Sequence, residues 1–173
     1  MRPEESRGKL YFGDLCVGCY YEPITYFKAE PTVGWHIKIT RITVGDEAVF
    51  QGENRVLVDS GTSFTFGPKV EVVAINKHFT QGPAHNGVYI VDCRRILTFP
   101  VVKFSGGDST LTLSPREYVF RRGQLCFSSF AYRVGITESF WRFGSTLNRM
   151  FYTVYDKEED RVGFARSKSQ QDS

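Results

Sequence analysis

An apolar run leads directly into a short polar turn before the middle of the 173-residue chain. Val-Leu-Val at 56–58 is followed by Asp-Ser-Gly-Thr-Ser at 59–63. Consecutive apolar residues of this kind are typical of a strand that is buried on both faces. Gly61 then permits a tight turn and leaves its surroundings open to incoming groups. The pattern therefore predicts that the Asp59 carboxylate lies at the rim of a hydrophobic core.

The polar turn has the composition of a site that orients a carboxylate. The Thr62 hydroxyl can donate a hydrogen bond to Asp59 and fix its orientation, and Ser60 can bond to the backbone of a facing loop. An Asp-Ser-Gly turn is by itself common in proteins. The apolar strand before it and the Thr-Ser pair after it favour a catalytic carboxylate.

Strand-like segments separated by turn residues make up most of the remaining sequence. They combine alternating or continuous apolar residues with turn residues at their ends, and aromatic residues form 15% of the chain. These features predict an all-β protein. The predicted strands are residues 9–13, 20–29, 35–44, a short strand ending at Phe50, and residues 55–59, 88–91, 99–104, 110–113, 118–120, 124–127, 150–155 and 161–165.

Several local features refine this strand pattern. The alternation slips near Arg41, which predicts a bulge or bend. Turns are predicted at Gly45-Asp46 and again at 51–54, and the last two strands are expected to form a hairpin. Pro68 and the apolar spacing after it predict one helix over 68–79.

Charge and composition do not favour a nucleic-acid-binding protein or a membrane-spanning one. The chain has 22 Lys+Arg and 19 Asp+Glu, so its formal charge of +3 does not favour a nucleic-acid partner. No apolar run is long enough to predict a membrane span. The polar first residues do not resemble a signal peptide, so the expectation is either a cytosolic protein or a piece of a longer chain.

The four cysteines are Cys16, Cys19, Cys93 and Cys126, which allow three disulfide pairings. Cys16 and Cys19 form an isolated Cys-x-x-Cys without the two further ligands that a zinc site needs, and the three histidines show no ligand spacing. We therefore predict no metal site. A structural disulfide or free thiols are the preferred interpretation of the pair, and metal or redox roles stay open.

Matches in order along the chain, from about Lys9 to Ala165, resemble the C-terminal half of pepsin-like aspartic endopeptidases, the pepsin and cathepsin D family. The Asp59 turn resembles the second active-site signature of that family. The other matching segments are Leu-Tyr-Phe-Gly at 10–13, Tyr-Tyr at 20–21, Gly-Trp-His-Ile at 34–37, Gly-Pro at 67–68, Leu-Thr-Phe-Pro at 97–100, Leu-Ser-Pro at 113–115, Trp-Arg-Phe-Gly at 141–144, Phe-Tyr-Thr-Val-Tyr-Asp at 151–156 and Arg-Val-Gly-Phe-Ala at 161–165.

The resemblance implies a fold and a chemistry. The fold is an all-β, mainly antiparallel, barrel-like lobe with a ψ-type strand crossing and one or two short helices. Each of two lobes in the family supplies one Asp to a dyad that activates water for peptide hydrolysis, without a cofactor. Asp59 is then catalytic, with Ser60, Gly61 and Thr62 in support, and Ser63 is a candidate substrate contact. Cys93 and Cys126 fall where the family has a second-lobe disulfide.

From the extent of the resemblance we expect residues 1–8 to be a mobile extension, 9–166 to be a C-terminal lobe and 167–173 to be a disordered tail. Only one active-site signature is present in the sequence. The lobe needs either a missing N-terminal lobe or a second copy to complete the site. The alternative is a non-catalytic lobe that binds peptides or proteins. The resemblance implies a secreted or lysosomal (vesicular) location.

Two departures from the family pattern bear on the site. Arg142 stands where relatives have an apolar residue, in a segment that passes close behind the active Asp, and Ser145 replaces an acidic residue. A buried Arg142 would need a partner and would disturb proton sharing at Asp59. The preferred interpretation is instead that Arg142 points to solvent or to a substrate subsite. A cysteine pair that many relatives have before the active-site strand is also missing, so the pairing of Cys16 and Cys19 stays open.

Overall fold

The computed structural model describes residues 8–168 and is built mainly of strands. Two 3₁₀ turns, Val17–Cys19 and Cys93–Thr98, accompany its regular elements. The strands are β1 (Tyr20–Lys28), β2 (His36–Val44), β3 (Glu47–Val58), β4 (Thr65–Phe66), β5 (Ile90–Val91), β6 (Val102–Gly106), β7 (Ser109–Leu113), β8 (Val119–Arg122), β9 (Leu125–Ser128), β10 (Phe130–Ala131), β11 (Trp141–Phe143), β12 (Phe151–Asp156) and β13 (Arg161–Ser167). The helices are α1 (Lys69–Asn76), α2 (Pro115–Tyr118) and α3 (Ser145–Asn148).

These strands form three sheets. The largest has seven strands in the order β10-β4-β11-β3-β2-β6-β7, and the others have the orders β1-β13-β12 and β5-β9-β8. Most pairs are antiparallel, but β11 runs parallel to β3 and β10 runs parallel to β4. The prediction of an all-β, mainly antiparallel lobe with short helices is confirmed. No helix in residues 8–168 has the length and apolar character needed to cross a bilayer.

The alternation of side chains along β2 places its apolar residues in the core. Ile37 and Ile39 are buried, and so are Ile42 and Val44 beyond a register shift between Ile39 and Arg41. The shift restores the inward direction of the apolar side chains after the alternation slips, so the predicted bulge is confirmed. The β12–β13 hairpin is also confirmed.

Two predicted elements are wrong. Residues 9–13 form no strand. Residues 51–54 form no turn, because β3 continues through them and pairs with β2 at Gln51 and Asn54. The predicted helix is present but shorter, and Pro68 precedes its first residue. Most of the predicted mobile extension and disordered tail lies outside the described residues, and Ser167 is the last residue of β13.

A partly buried carboxyl group joins α1 to the central sheet. Glu71 accepts a hydrogen bond from Trp141 Nε1 at 2.5 Å through Oε2, and one from Asn54 Nδ2 at 3.3 Å through Oε1. Burial raises the pKa of Glu71, and the two hydrogen bonds oppose that rise only in part. The folded state therefore holds the Glu71 proton more tightly than the unfolded state does.

We expect Glu71→Gln to make stability less dependent on pH. A raised pKa in the folded state gives stability that is complete below the ordinary value of 4.5 and is lost as the pH rises through the folded-state pKa. The variant should therefore lose less stability than the wild type between pH 4.5 and 7. Denaturant unfolding over this range measures the effect, with the exposed Glu53→Gln as control. Parallel pH profiles of Glu71→Gln and the wild type would contradict it.

Candidate active site

Asp59 directly follows β3, and hydrogen bonds on two sides hold this strand end. The Asp59 amide donates to the carbonyl oxygen of Phe143 in β11 at 3.0 Å, and the Val58 amide donates to the carbonyl oxygen of Trp35 at 2.9 Å. Val58 and Phe143 are buried next to each other in the parallel β3–β11 pair. The core therefore fixes the backbone from which the Asp59 carboxylate projects.

The Asp59 carboxylate has two local donors. Oδ1 accepts the amide of Gly61 at 3.0 Å, and Oδ2 accepts the hydroxyl of Thr62 at 2.7 Å. The Thr62 amide also donates to the Asp59 carbonyl oxygen at 3.2 Å, which closes the turn. About 30% of the Asp59 side chain is exposed. A carboxylate held in this way is both oriented and accessible to a ligand.

The turn after Asp59 interlocks with the segment after β11. The Ser145 amide donates to the Thr62 carbonyl oxygen at 2.6 Å, and the Thr146 amide donates to the Ser63 carbonyl oxygen at 2.9 Å. These bonds run from the start of α3 to the loop that carries Asp59. The structure therefore has the strand-and-loop crossing that the resemblance implies.

The remaining predicted residues of the turn are exposed. Ser60 and Ser63 both have exposed side chains, and neither side chain has a hydrogen-bond partner among residues 8–168. Ser63 takes part in the crossing through its backbone carbonyl, which also accepts the Ser145 hydroxyl at 3.3 Å. The supporting role of Ser60 and the substrate contact of Ser63 stay predictions.

Arg142 lies beside Asp59. Its Nη1 is 3.8 Å from Asp59 Oδ2, and 25% of its side chain is exposed. Because Trp141 and Phe143 face the core from β11, Arg142 between them faces the opposite side of the sheet, where Asp59 projects. Arg142 is thus partly exposed and has a partly exposed carboxylate as its immediate neighbour, and whether it contributes to a substrate subsite stays a prediction.

Glu138 and Arg133, which the sequence analysis did not select, complete a group of charged residues with Asp59 and Arg142. The Glu138 side chain is buried, contacts Arg133 in a short ion pair, and has its Oε2 at 3.9 Å from Arg142 Nε. Charges therefore alternate along the row Asp59, Arg142, Glu138 and Arg133. In the sequence, Arg133, Glu138 and Arg142 lie within ten residues of one another, but this spacing does not predict that their side chains are in contact.

Tyr155 is another residue that the sequence analysis did not select. Burial raises the pKa of the Tyr155 hydroxyl, and the charge of Asp59 adds to the rise. Its ring lies 5.2 Å from that of Trp35, whose carbonyl supports the end of β3. Tyr155, in β12, is therefore close enough to Asp59 for the charge of that carboxylate to affect its hydroxyl.

The cysteines form two disulfides, Cys16–Cys19 and Cys93–Cys126. The structure thus resolves the open pairing of the Cys-x-x-Cys segment in favour of a disulfide. Residues 8–168 contain no group of three His, Cys, Asp or Glu side chains placed to hold a metal ion.

Comparison with known proteins shows the family to which the chain belongs. The family model for eukaryotic aspartyl protease matches residues 1–167. Cathepsin D from Chionodraco hamatus is 31% identical over 95% of this chain and 43% of the relative, and cathepsin D from Clupea harengus is 29% identical over 94% and 43%. Renin-2 from Mus musculus is 29% identical over 94% and 42%. The chain thus spans less than half the length of these relatives, and it belongs to the eukaryotic aspartyl protease family as a pepsin-like lobe.

Proposed function

We propose that this lobe supplies Asp59 as one of the two carboxyl groups that activate water in an aspartic endopeptidase. The observation that carries the proposal is the position of Asp59. Its carboxylate projects from the end of a buried strand, accepts hydrogen bonds from Gly61 and Thr62, and stays partly exposed. The substrate would be a peptide or protein lying across this edge of the sheet.

The chemistry follows from two carboxyl groups that share one proton. Charge repulsion disfavours ionisation of both groups when they are close together, so one stays protonated. The ionised group accepts a proton from water as its oxygen attacks the carbonyl carbon of the scissile bond. The protonated group donates a hydrogen bond to the carbonyl oxygen. Protonation of the leaving nitrogen then allows the C–N bond to break, without a covalent enzyme intermediate.

The second carboxyl group is proposed to come from another Asp-bearing lobe. Within residues 8–168, hydrogen bonds from Arg94 and Arg161 occupy Asp92 and Asp156 and lower their pKa values. Neither carboxylate is therefore a free partner for Asp59. We assign residues 9–166 to the C-terminal lobe, with its partner in the same polypeptide, in a separate chain or in a second copy.

The test is peptide cleavage near pH 4 by the chain alone and by the chain mixed with an N-terminal lobe of a cathepsin D relative. We expect cleavage only with the supplied lobe and inhibition by a pepstatin-type transition-state analogue. Activity of the chain alone, together with a dimer mass in sedimentation, would instead support a symmetric dimer. Absence of cleavage and of analogue binding in every assembly would contradict the proposal.

A non-catalytic peptide-binding lobe is the second candidate. The observation that favours it is the guanidinium of Arg142 at 3.8 Å from Asp59 Oδ2, because a guanidinium in that position can hold an acceptor group of a peptide without any proton transfer. Peptide binding without cleavage, in an assembly whose supplied lobe is active with its own partner, would favour this candidate.

We expect Thr62→Val to lower kcat of the assembled protease by about tenfold, because Asp59 loses the hydrogen bond that orients Oδ2. Thr62→Ser keeps a hydroxyl and should retain most of the activity. Steady-state kinetics over a range of pH distinguishes positioning from a loss of folding, since only positioning changes the profile in a folded variant. Equal activity of the Val and Ser variants would argue against a positioning role.

The two disulfides support a location outside the reducing cytosol. Disulfides form and persist mainly in secreted proteins and in oxidising compartments. This agrees with a secreted, lysosomal or other vesicular protein and disfavours the cytosolic alternative. Fractionation of cells that express the protein, combined with thiol labelling, tests the location.

A further inference from the structure

One row of side chains crosses the sheet beside Asp59. In the register of β2, β3, β11 and β4, His36 lies opposite Leu57, Leu57 opposite Arg142, and Arg142 opposite Phe66. All four are partly exposed, whereas their neighbours along β3 and β11 are buried. A ligand that reaches Asp59 from this side of the sheet therefore meets Arg142.

The donors of Arg142 are not used within residues 8–168. Its contacts with Asp59 and Glu138 are 3.8 and 3.9 Å long, beyond hydrogen-bond distance, and its buried Nε has no partner there. The two acids have closer donors of their own, since Thr62 donates to Asp59 and Arg133 to Glu138. Arg142 therefore keeps N–H groups available for another acceptor.

Packing holds the guanidinium in place. Its central carbon lies 4.7 Å from the centre of the Phe140 ring, and His36 packs edge-on against the same ring at 5.8 Å. A guanidinium stacked on an aromatic ring keeps the N–H groups at its edge available to an acceptor in its plane. The geometry thus favours a planar, bidentate acceptor.

We propose that Arg142 binds a carboxylate of the substrate, so that the site selects peptides with Asp or Glu close to the scissile bond. Carboxylates match the two parallel N–H groups of a guanidinium in geometry and in charge. The formal charges of Asp59, Glu138, Arg142 and Arg133 sum to zero, so a further carboxylate meets no net negative charge in this group. This inference rests on the proposed function, because a peptide must lie across Asp59 for Arg142 to bind its carboxylate.

The test uses the assembled protease and synthetic peptides that are amidated at the C-terminus. Each peptide carries Asp or Glu near its centre, and its control carries Asn or Gln there. We expect roughly ten- to hundredfold higher kcat/KM for the acidic member of each pair, the size of effect typical of a charged hydrogen bond. Arg142→Leu should remove this preference and Arg142→Lys should keep part of it. Arg41→Leu, an exposed change elsewhere on β2, should leave it unchanged.

Binding of the same peptides to an assembly with Asp59→Asn separates this inference from the proposed function. Tighter binding of acidic peptides without cleavage by the unmodified assembly supports the role of Arg142 and contradicts catalysis. Cleavage with equal rates for acidic and amide peptides supports catalysis and overturns the role of Arg142. If Arg142→Leu does not fold, the peptide preference of the wild type, together with that of Arg142→Lys, still shows whether Arg142 selects acidic peptides. A preference confined to peptides with a free C-terminus would also overturn it, because the terminal carboxylate would then be the ligand.

Discussion

Asp59→Asn is expected to lower kcat of the assembled protease by roughly 10³- to 10⁴-fold, the upper range for loss of a general acid–base group. Asparagine is nearly isosteric. Its amide oxygen can still accept the Gly61 amide, and its NH2 group, at the position of Oδ2, can donate to the Thr62 hydroxyl. It cannot take a proton from the attacking water. The change should therefore remove the chemistry with little effect on the fold, and KM should change much less than kcat.

The matched control for this variant is Asp108→Asn. Asp108 is exposed in the turn between β6 and β7, and it also precedes a serine. It should have wild-type activity, and thermal unfolding should show both variants folded. Cleavage by Asp59→Asn within tenfold of the wild type would show that the reacting water is activated elsewhere.

The overall fold was largely predictable, because the alternation of apolar and polar residues along a segment shows which face of a strand is buried. The error at 51–54 shows where this reasoning stops. Those polar residues and Gly52 resemble a turn, but they lie opposite the register shift of β2, where Gly52 adopts a φ of 141°. Polar side chains and a positive φ are needed at an exposed, irregular strand pair as well as in a turn. Sequence alone does not separate the two.

The contacts of the candidate site were likewise predictable only in part. Gly61 and Thr62 contact Asp59 from within the same turn, so their contacts followed from local spacing. Arg142 reaches Asp59 only because β11 runs parallel to β3, and such a pair joins segments that are distant in sequence. Glu138 joins the group only through its contact with Arg142. The direction of the Arg142 side chain depends on that register, which a sequence pattern does not determine.

Gly144→Ala is expected to lower the free energy of unfolding by about 3 kcal/mol, the upper range for overpacking in a tight interior. Gly144 is buried between β11 and α3, where the two loops of the site cross. A Cβ atom at this position would lie well inside van der Waals contact with the carbonyl oxygens of Thr62 and Phe64. Both obstacles are backbone atoms, so no side-chain rotation can relieve the overlap. The two loops must move apart instead.

This movement also affects the candidate site. The Thr62 carbonyl accepts the Ser145 amide, and the Thr62 hydroxyl donates to Asp59, so displacement of one loop moves the donor that orients the carboxylate. Misplacement of a catalytic group by about 1 Å can cost roughly 100-fold in rate. We therefore expect kcat of the assembled protease to fall by about that factor at temperatures where Gly144→Ala remains folded.

Gly18→Ala is the matched control, because a Cβ atom there meets no other atom within 4 Å. Denaturant unfolding and peptide kinetics on both variants separate the effect of the crossing from that of adding a methyl group. Loss of stability with unchanged kcat would mean that the crossing supports the fold but does not position Asp59. Wild-type stability of Gly144→Ala would mean that the loops separate freely, and the rigid placement of Asp59 inferred from their interlocking would then be wrong.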